Sequence, residues 1–216
     1  MPDLKLLPPE LATAICEGIA ITQSAPFHDL SYGQRCVINR LLGPHDQPEK
    51  VSGLCGIGRW RRYKLADITT RRVLQCWERL LPQDKLPHEC LEAAYRVLNG
   101  QLSQSECEQL REDGWNHCGE LVYKHQDAQN DVLPGYAALQ VVRIALWDNL
   151  YPEVVELEIT DGDLDPENLD YSYCAAAAFA GGTVWNDSSS ASRRLEFWQW
   201  WLTEAVPAAW HSQLGS

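Results

Sequence analysis

The sequence predicts a single all-α domain, residues 1–216, built as a bundle of about seven or eight helices. Apolar residues recur at helical spacing through most of the chain, and Pro or Gly separates the periodic segments, as at Pro82 and Gly100. A chain of 216 residues, 45% of them hydrophobic, can bury a sizeable core without disulfides or metal. We find no internal repeat and no clear domain boundary.

The predicted helices each combine an apolar stripe with a recognisable start or stop. Ser103 and Glu106 form a capping-box pattern, Asp165 is the expected N-cap before Pro166, and Ser192 is the expected cap of the last helix. Glycines and prolines make the segment 27–63 largely loop in this prediction. The predicted helices cover about 9–24, 33–42, 65–81, 87–98, 104–122, 136–150, 166–180 and 193–210.

One segment, 154–160, does not show helical periodicity. Val155, Leu157 and Ile159 alternate with polar residues, and this two-residue period is typical of a short strand. A single strand cannot form a sheet, so a helical or extended connection fits the pattern equally well.

Tryptophan residues distinguish two of these helices. Trp77 lies on an apolar stripe and is predicted to be in the core, with Glu78 beside that stripe. In the Trp-rich C-terminal helix, 193–210, Trp198 and Trp200 lie about 200° apart around the helix axis, so they cannot both face the core. Trp200 is therefore our candidate for an exposed interface anchor, since Trp is enriched in such positions.

Negative charge is concentrated in one third of the chain. Residues 125–192 carry twelve acidic side chains and one basic side chain, Arg143, and so hold −11 of the formal net charge of −12. Crowded carboxylates repel one another, but they speed the encounter with a cationic partner. The predicted partner-binding residues are Glu153, Glu156, Glu158, Asp161, Asp163, Asp165, Glu167, Asp170 and Trp200.

Composition also argues against several classes of protein. A pI near 4.9 disfavours binding to nucleic acid or to an anionic membrane, and no apolar run approaches the ~20 residues of a membrane span. The N-terminus lacks the basic region of a signal peptide, and the eight cysteines form no CxxC pair. We therefore expect a cytoplasmic protein with reduced thiols.

No cofactor, metal or catalytic motif is predicted. The spacing of Asp161, Asp163 and Asp165 resembles the start of a calcium loop, but Pro166 stands where that loop needs Gly. His117 cannot easily activate the adjacent Cys118, because neighbouring residues of a helix point about 100° apart. GxGxxG, GxxxxGK[ST], HExxH and GxSxG are all missing.

A basic cluster lies between residues 59 and 72. Cations interleaved with Trp60 and Tyr63 could bind phosphate, but in so acidic a chain we favour internal pairing with carboxylates. The cluster consists of Arg59, Arg61, Arg62, Lys64, Arg71 and Arg72.

The run 68–103 resembles the central helical pair of an immunity protein family from bacterial polymorphic toxin systems. A helix with an aromatic-Glu pair and a final Pro is followed by a Pro-led EAA helix closed by Gly, and the tail 193–210 is also similar to that family. The resemblance implies an all-α cytoplasmic protein that neutralises a cognate toxin by binding it. The matching residues are Val73, Leu74, Trp77, Glu78, Pro82, Pro87, Leu91, Glu92, Ala93, Ala94 and Gly100.

Two functional hypotheses follow. The first is a non-catalytic immunity protein whose acidic face binds a toxin with a basic surface. Nuclease toxins are the expected target type, because carboxylates can occupy positions that phosphates would take. The alternative is an all-α hydrolase that uses some of Glu156, Asp161, Asp163 or Asp165 with a bound metal.

Overall fold

The computed structural model describes residues 6–46, 55–148, 151, 157, 159–186 and 189–214. Over these residues the chain is helical and contains no strand, which confirms the predicted fold class. The described part contains ten α-helices, somewhat more than the seven or eight predicted. They are α1 (Pro9–Ser24), α2 (Tyr32–Leu41), α3 (Ile57–Arg71), α4 (Leu74–Leu80), α5 (Leu86–Leu98), α6 (Gln104–Lys124), α7 (Leu133–Leu146), α8 (Tyr171–Ala180), α9 (Ala191–Trp200) and α10 (Val206–His211).

Helix α7 lies at the centre of the fold and packs against α3, α5, α6 and α8. Its residues are apolar on almost every side, and nearly all of them are buried, as expected for a central helix. Pro134, predicted to precede this helix, lies inside its first turn. Backbone N–H groups in the first turn have no intrahelical acceptor, so the missing N–H of proline costs no hydrogen bond there. Gly135 follows it and allows α4 to approach closely.

Helix α4 contributes Trp77, whose side chain is 0% exposed, which confirms the prediction that it belongs to the core. Its indole N–H donates to the carbonyl of Asp84 over 3.1 Å, so the polar atom of this large ring is satisfied. A Cβ at Gly135 would lie 2.5 Å from Cζ3 of Trp77. The tryptophan therefore needs a glycine at this point of α7.

The C-terminal Trp-rich segment divides into three pieces. Helix α9 passes into a π-helical stretch, Trp201–Ala205, and then into α10. Pro207 explains the interruption, because its ring excludes the normal hydrogen bond to the carbonyl four residues earlier. Trp198 and Trp201 are fully buried and pack edge to face, with ring centroids 5.7 Å apart.

Several predicted boundaries differ from the structure. Helix α3 begins at Ile57 and ends before Val73, so the predicted helix 65–81 is two helices. Together with α2, this makes much of the segment 27–63 helical where the glycines predicted loop. The predicted strand or extended segment at 154–160 lies mostly outside the described residues, and Ile159 and Thr160 are neither helix nor strand.

Two predicted caps are also displaced. The N-cap of α8 is Asp170, whose side chain accepts from the backbone N–H of Tyr173, and not Asp165. Residues 166–168 form a separate 3-10 turn, which the extended backbone of Asp170 separates from α8. Ser190 caps α9 in place of Ser192. The capping box of Ser103 and Glu106 on α6 is confirmed.

Candidate partner-binding surface

The acidic segment, which we define as residues 159–170, joins α7 to α8 by way of residues 149–158, few of which are described. Its start is tied to α2, since the N–H of Gly33 donates to the carbonyl of Ile159 over 3.2 Å. Of the predicted binding residues, Glu153, Glu156 and Glu158 lie outside the described residues. The other acids divide into a buried set and an exposed set.

The buried set consists of Asp161 and Asp170, both of which bind Arg35 of α2. Arg35 is fully buried, and its Nε donates to Asp170 over 2.9 Å while its other two nitrogens donate to Asp161. A third acceptor is the carbonyl of Leu30. Because a buried guanidinium needs compensating charge, these two carboxylates hold the acidic segment against α2. Neither presents its charge as a free surface group.

The exposed set consists of Asp163, Asp165 and Glu167. The hydroxyl and the backbone N–H of Thr160 both donate to Asp163, at 2.7 and 2.9 Å, and these hydrogen bonds lower the pKa of that carboxyl. Within the described part of the chain, none of the three forms a salt bridge. Asp163 and Asp165 present their charge to solvent, whereas Glu167 has Arg143 beside it, whose guanidinium donates to the carbonyl of Glu167 over 3.1 Å.

Trp200, the predicted interface anchor, is half-buried on α9. Its ring lies 5.7 Å from that of Phe197, and the guanidinium of Arg72 stands 5.0 Å from its centroid. Much of its surface is thus occupied by its own chain. More exposed aromatic side chains are found at Phe27, Tyr123 and Trp185. Phe27 and Trp185 lie in turns, where side-chain periodicity predicts no exposed face.

Two apolar grooves flank the acidic segment. The Trp115 groove, with a volume of ≈ 730 Å³, lies beside α6 and α7, and Asp165 and Glu167 stand at its edge. The rings of Trp115 and Tyr136 meet there edge to face, 4.9 Å apart.

The Trp185 groove lies beside the other end of the segment, at residues 160–162, and has a volume of ≈ 570 Å³. Phe27, Leu157 and Trp185 line it and are all more than half exposed. The two grooves adjoin, because Tyr173 lines the Trp115 groove and its ring stacks on Trp185 at 6.1 Å. Exposed carboxylates next to an exposed apolar surface are typical of a binding site for another protein.

The basic cluster of α3 pairs internally, as the favoured interpretation predicts. Arg62 is fully buried and bidentate to Asp148, at 2.6 Å, and it also donates to the carbonyls of Gly43 and Pro44. Other cations of the cluster form contacts at the surface, including Arg71 with Asp67 at 3.0 Å. Arg61 differs, because its guanidinium stacks on the ring of Trp210, 3.5 Å from the centroid.

The histidine and cysteine pairs form ordinary structural contacts. His117 hydrogen-bonds the carboxylate of Asp84 at 2.6 Å and His88 that of Glu78 at 3.0 Å, while Cys118 is buried in the core. Burial raises the pKa of Cys107 to about 11. All eight cysteines are free thiols.

The described residues contain neither a metal-binding group of side chains nor a membrane-spanning helix. No three side chains of His, Cys, Asp or Glu among them are grouped so that they could hold a metal ion. No described helix combines the length and the apolar character needed to cross a bilayer.

The family of the chain follows from its sequence match. The model of the family described as "Immunity protein Imm5" matches residues 16–208, which include α2 to α9, the second half of α1 and the first half of α10. The chain belongs to the Imm5 immunity protein family. This confirms the resemblance found at 68–103 and extends it over nearly the whole chain. No curated protein matches the chain.

Membership of the Imm5 family supports an immunity function and implies a toxin as the partner. The all-helical structure agrees with the fold that the resemblance implied. The match also includes the acidic segment and both loops that line the Trp185 groove.

Proposed function

We propose that this Imm5 family protein neutralises a cognate toxin domain by binding it, without catalysis, through an acidic face formed by the acidic segment, residues 159–170. The observation that carries the proposal is the exposed set Asp163, Asp165 and Glu167, whose carboxylates form no salt bridge in the described part of the chain. Three such carboxylates on one short segment attract a basic surface. The partner of this face is therefore a toxin domain with basic side chains at its active site or substrate cleft.

Arg35 supports this function indirectly. By pairing with Asp161 and Asp170 it fixes the backbone of the acidic segment, so that the exposed carboxylates keep their positions before the toxin arrives. A surface that is already ordered loses less conformational entropy on binding. In this proposal Asp161 and Asp170 position the surface, and the exposed acids attract the partner.

The test is charge reversal of the exposed set in the combined variant Asp163→Lys, Asp165→Lys and Glu167→Lys. The probe is the C-terminal domain of the protein encoded immediately upstream, and association rates are measured by stopped flow at low and high salt. We expect slower association at low salt and a weaker dependence on salt, because steering between opposite charges is lost.

A matched control reverses three exposed acids elsewhere, Glu10, Glu17 and Glu92 on α1 and α5. It makes the same change in net charge and should affect the rate much less. Equal slowing by both variants would show that net charge, and not this face, controls association. An unchanged rate for the first variant at low salt would remove the acidic segment from the interface.

A further inference from the structure

The Trp185 groove carries two aromatic side chains that the fold leaves in solvent. Phe27 is 59% exposed and Trp185 is 60% exposed, although they lie in turns 158 positions apart in sequence. Both line the same groove of ≈ 570 Å³. Exposed large aromatics that converge on one concavity indicate a binding surface, whereas single ones scattered over a surface need no explanation.

A buried arginine of α9 holds both turns. The guanidinium of Arg194, only 3% exposed as a residue, donates to the carbonyl of Phe27 over 3.4 Å and to that of Gly182 over 2.9 Å. It also donates to the hydroxyl of Ser189, at the other end of the turn that carries Trp185. One side chain thus fixes the position of one aromatic loop relative to the other.

The turn at Phe27 is also locally constrained. His28 has a φ of +53°, which is uncommon for a residue other than glycine, and its ring nitrogen Nδ1 lies 2.8 Å from the carbonyl of Thr22. Asp29 accepts a hydrogen bond from the indole of Trp198, over 2.9 Å. Backbone in this region persists only where surrounding contacts hold it. The contacts of His28 and Asp29 hold the backbone of the turn that carries Phe27.

The charge beside the groove is negative. Asp29 lines the groove and, among the described residues, forms no salt bridge with Lys or Arg. Asp163 is exposed next to the lining residues Thr160 and Gly162. The two buried cations nearby, Arg35 and Arg194, are outnumbered by the carboxylates Asp29, Asp161, Asp163 and Asp170. An apolar groove bordered by an excess of negative charge favours an occupant that combines an apolar side chain with a cation.

We propose that Phe27 and Trp185 are paired anchors for a segment of the toxin domain in which an apolar side chain stands next to Lys or Arg. The apolar side chain enters the Trp185 groove between the two rings, and the cation faces Asp29 and Asp163. This rests on the proposed function and names the part of the surface that supplies affinity. A second copy of this chain is a poor occupant, since each copy carries a formal net charge of −12.

The experiment compares the affinities of Phe27→Ala, Trp185→Ala and the double variant for the domain encoded upstream, by isothermal titration calorimetry. Each single change should weaken binding by about 30-fold, the value for a hot spot of about 2 kcal/mol. Tyr123→Ala is the matched control: Tyr123 is 80% exposed on α6 and lines neither groove. It should leave the affinity within about 3-fold, as for most surface contacts.

Kinetics distinguish the anchors from the acidic segment. Loss of either aromatic should raise the dissociation rate with little change in salt dependence, whereas charge reversal acts on association. Phe27→Lys provides a second variant, which retains an exposed stem and opposes a cationic occupant. Both side chains are exposed, so melting temperatures should stay close to that of the wild type.

The outcomes separate the two proposals. If the wild-type chain does not bind the domain, both are overturned. If the wild type binds and the double variant binds equally well, the anchors are overturned and the acidic face remains. If the double variant alters only self-association in sedimentation experiments, the occupant is a second copy and the proposal is also wrong.

Discussion

The α4–α7 contact and the acidic segment 159–170 are stabilised in opposite ways. At the first, the indole of Trp77 packs against Gly135 and the contact is almost wholly apolar. In the second, a guanidinium from α2 binds two carboxylates, and Leu169 is the residue of the segment that packs against the hydrophobic core. The apolar α4–α7 contact therefore presents no charged group that a partner could bind. In the acidic segment, the ion pairs of Arg35 order the backbone while the remaining carboxylates stay exposed to solvent.

The largest expected effect is that of Arg35→Met. It leaves Asp161 and Asp170 buried without a cation, which should lower the free energy of unfolding by about 5 kcal/mol, the upper end for breaking a buried pair. Chemical denaturation measures this. Asp163→Asn, two residues from Asp161 but exposed, is the control and should have a much smaller effect. Equal effects of the two variants would show that the ion pairs of Arg35 with Asp161 and Asp170 do not hold the acidic segment in place.

Trp77→Ala should come next, with a loss of about 4 kcal/mol, because a large cavity replaces a fully buried indole. Urea denaturation measures the loss, and titration with the toxin domain tests the protein that remains folded. We expect that protein to bind normally, since Trp77 lies in the core and not on the acidic face. Intact stability together with lost binding would contradict the assignment of Trp77 to the core.

Gly135→Ala adds one methyl group to the same contact. The new Cβ would lie 2.5 Å from Trp77 and 2.8 Å from the sulfur of Cys118, so the helices must move apart. We expect a loss of about 2 kcal/mol, as for other overpacked cores. Gly119→Ala on α6 is a suitable control, because its Cβ would meet nothing within 4 Å. A neutral Gly135→Ala would show that α4 and α7 can separate freely.

The smallest effect is expected for Glu78→Gln. Glu78 pairs with His88 at 3.0 Å with both side chains well exposed, and such pairs contribute at most about 1 kcal/mol. The melting temperature should therefore barely change at neutral pH. A large decrease would give this exposed pair a structural role comparable to that of the buried contacts.

Features of the fold that depend on local interactions could be predicted from the sequence. The apolar stripe of Trp77 and the capping box at Ser103 each involve residues within a few positions, so their spacing is visible in the chain. The C-cap at Gly181 is similar, since its φ of +77° suits glycine. The helix break at Val73 is not visible in this way, because the apolar stripe continues across it.

The sequence by itself determined that the chain is all-α, that it belongs with immunity proteins and that its negative charge is concentrated in one stretch. Only the tertiary structure decided which of those acids are free. Asp161 and Asp163 look alike in sequence, but Asp161 is buried against Arg35 of α2, which lies 126 residues away in the chain. Phe27 and Trp185 likewise line one groove, and Arg194, in a third segment, donates hydrogen bonds to the turns that carry them. Such pairings form when distant helices pack together, so no local pattern of residues encodes them.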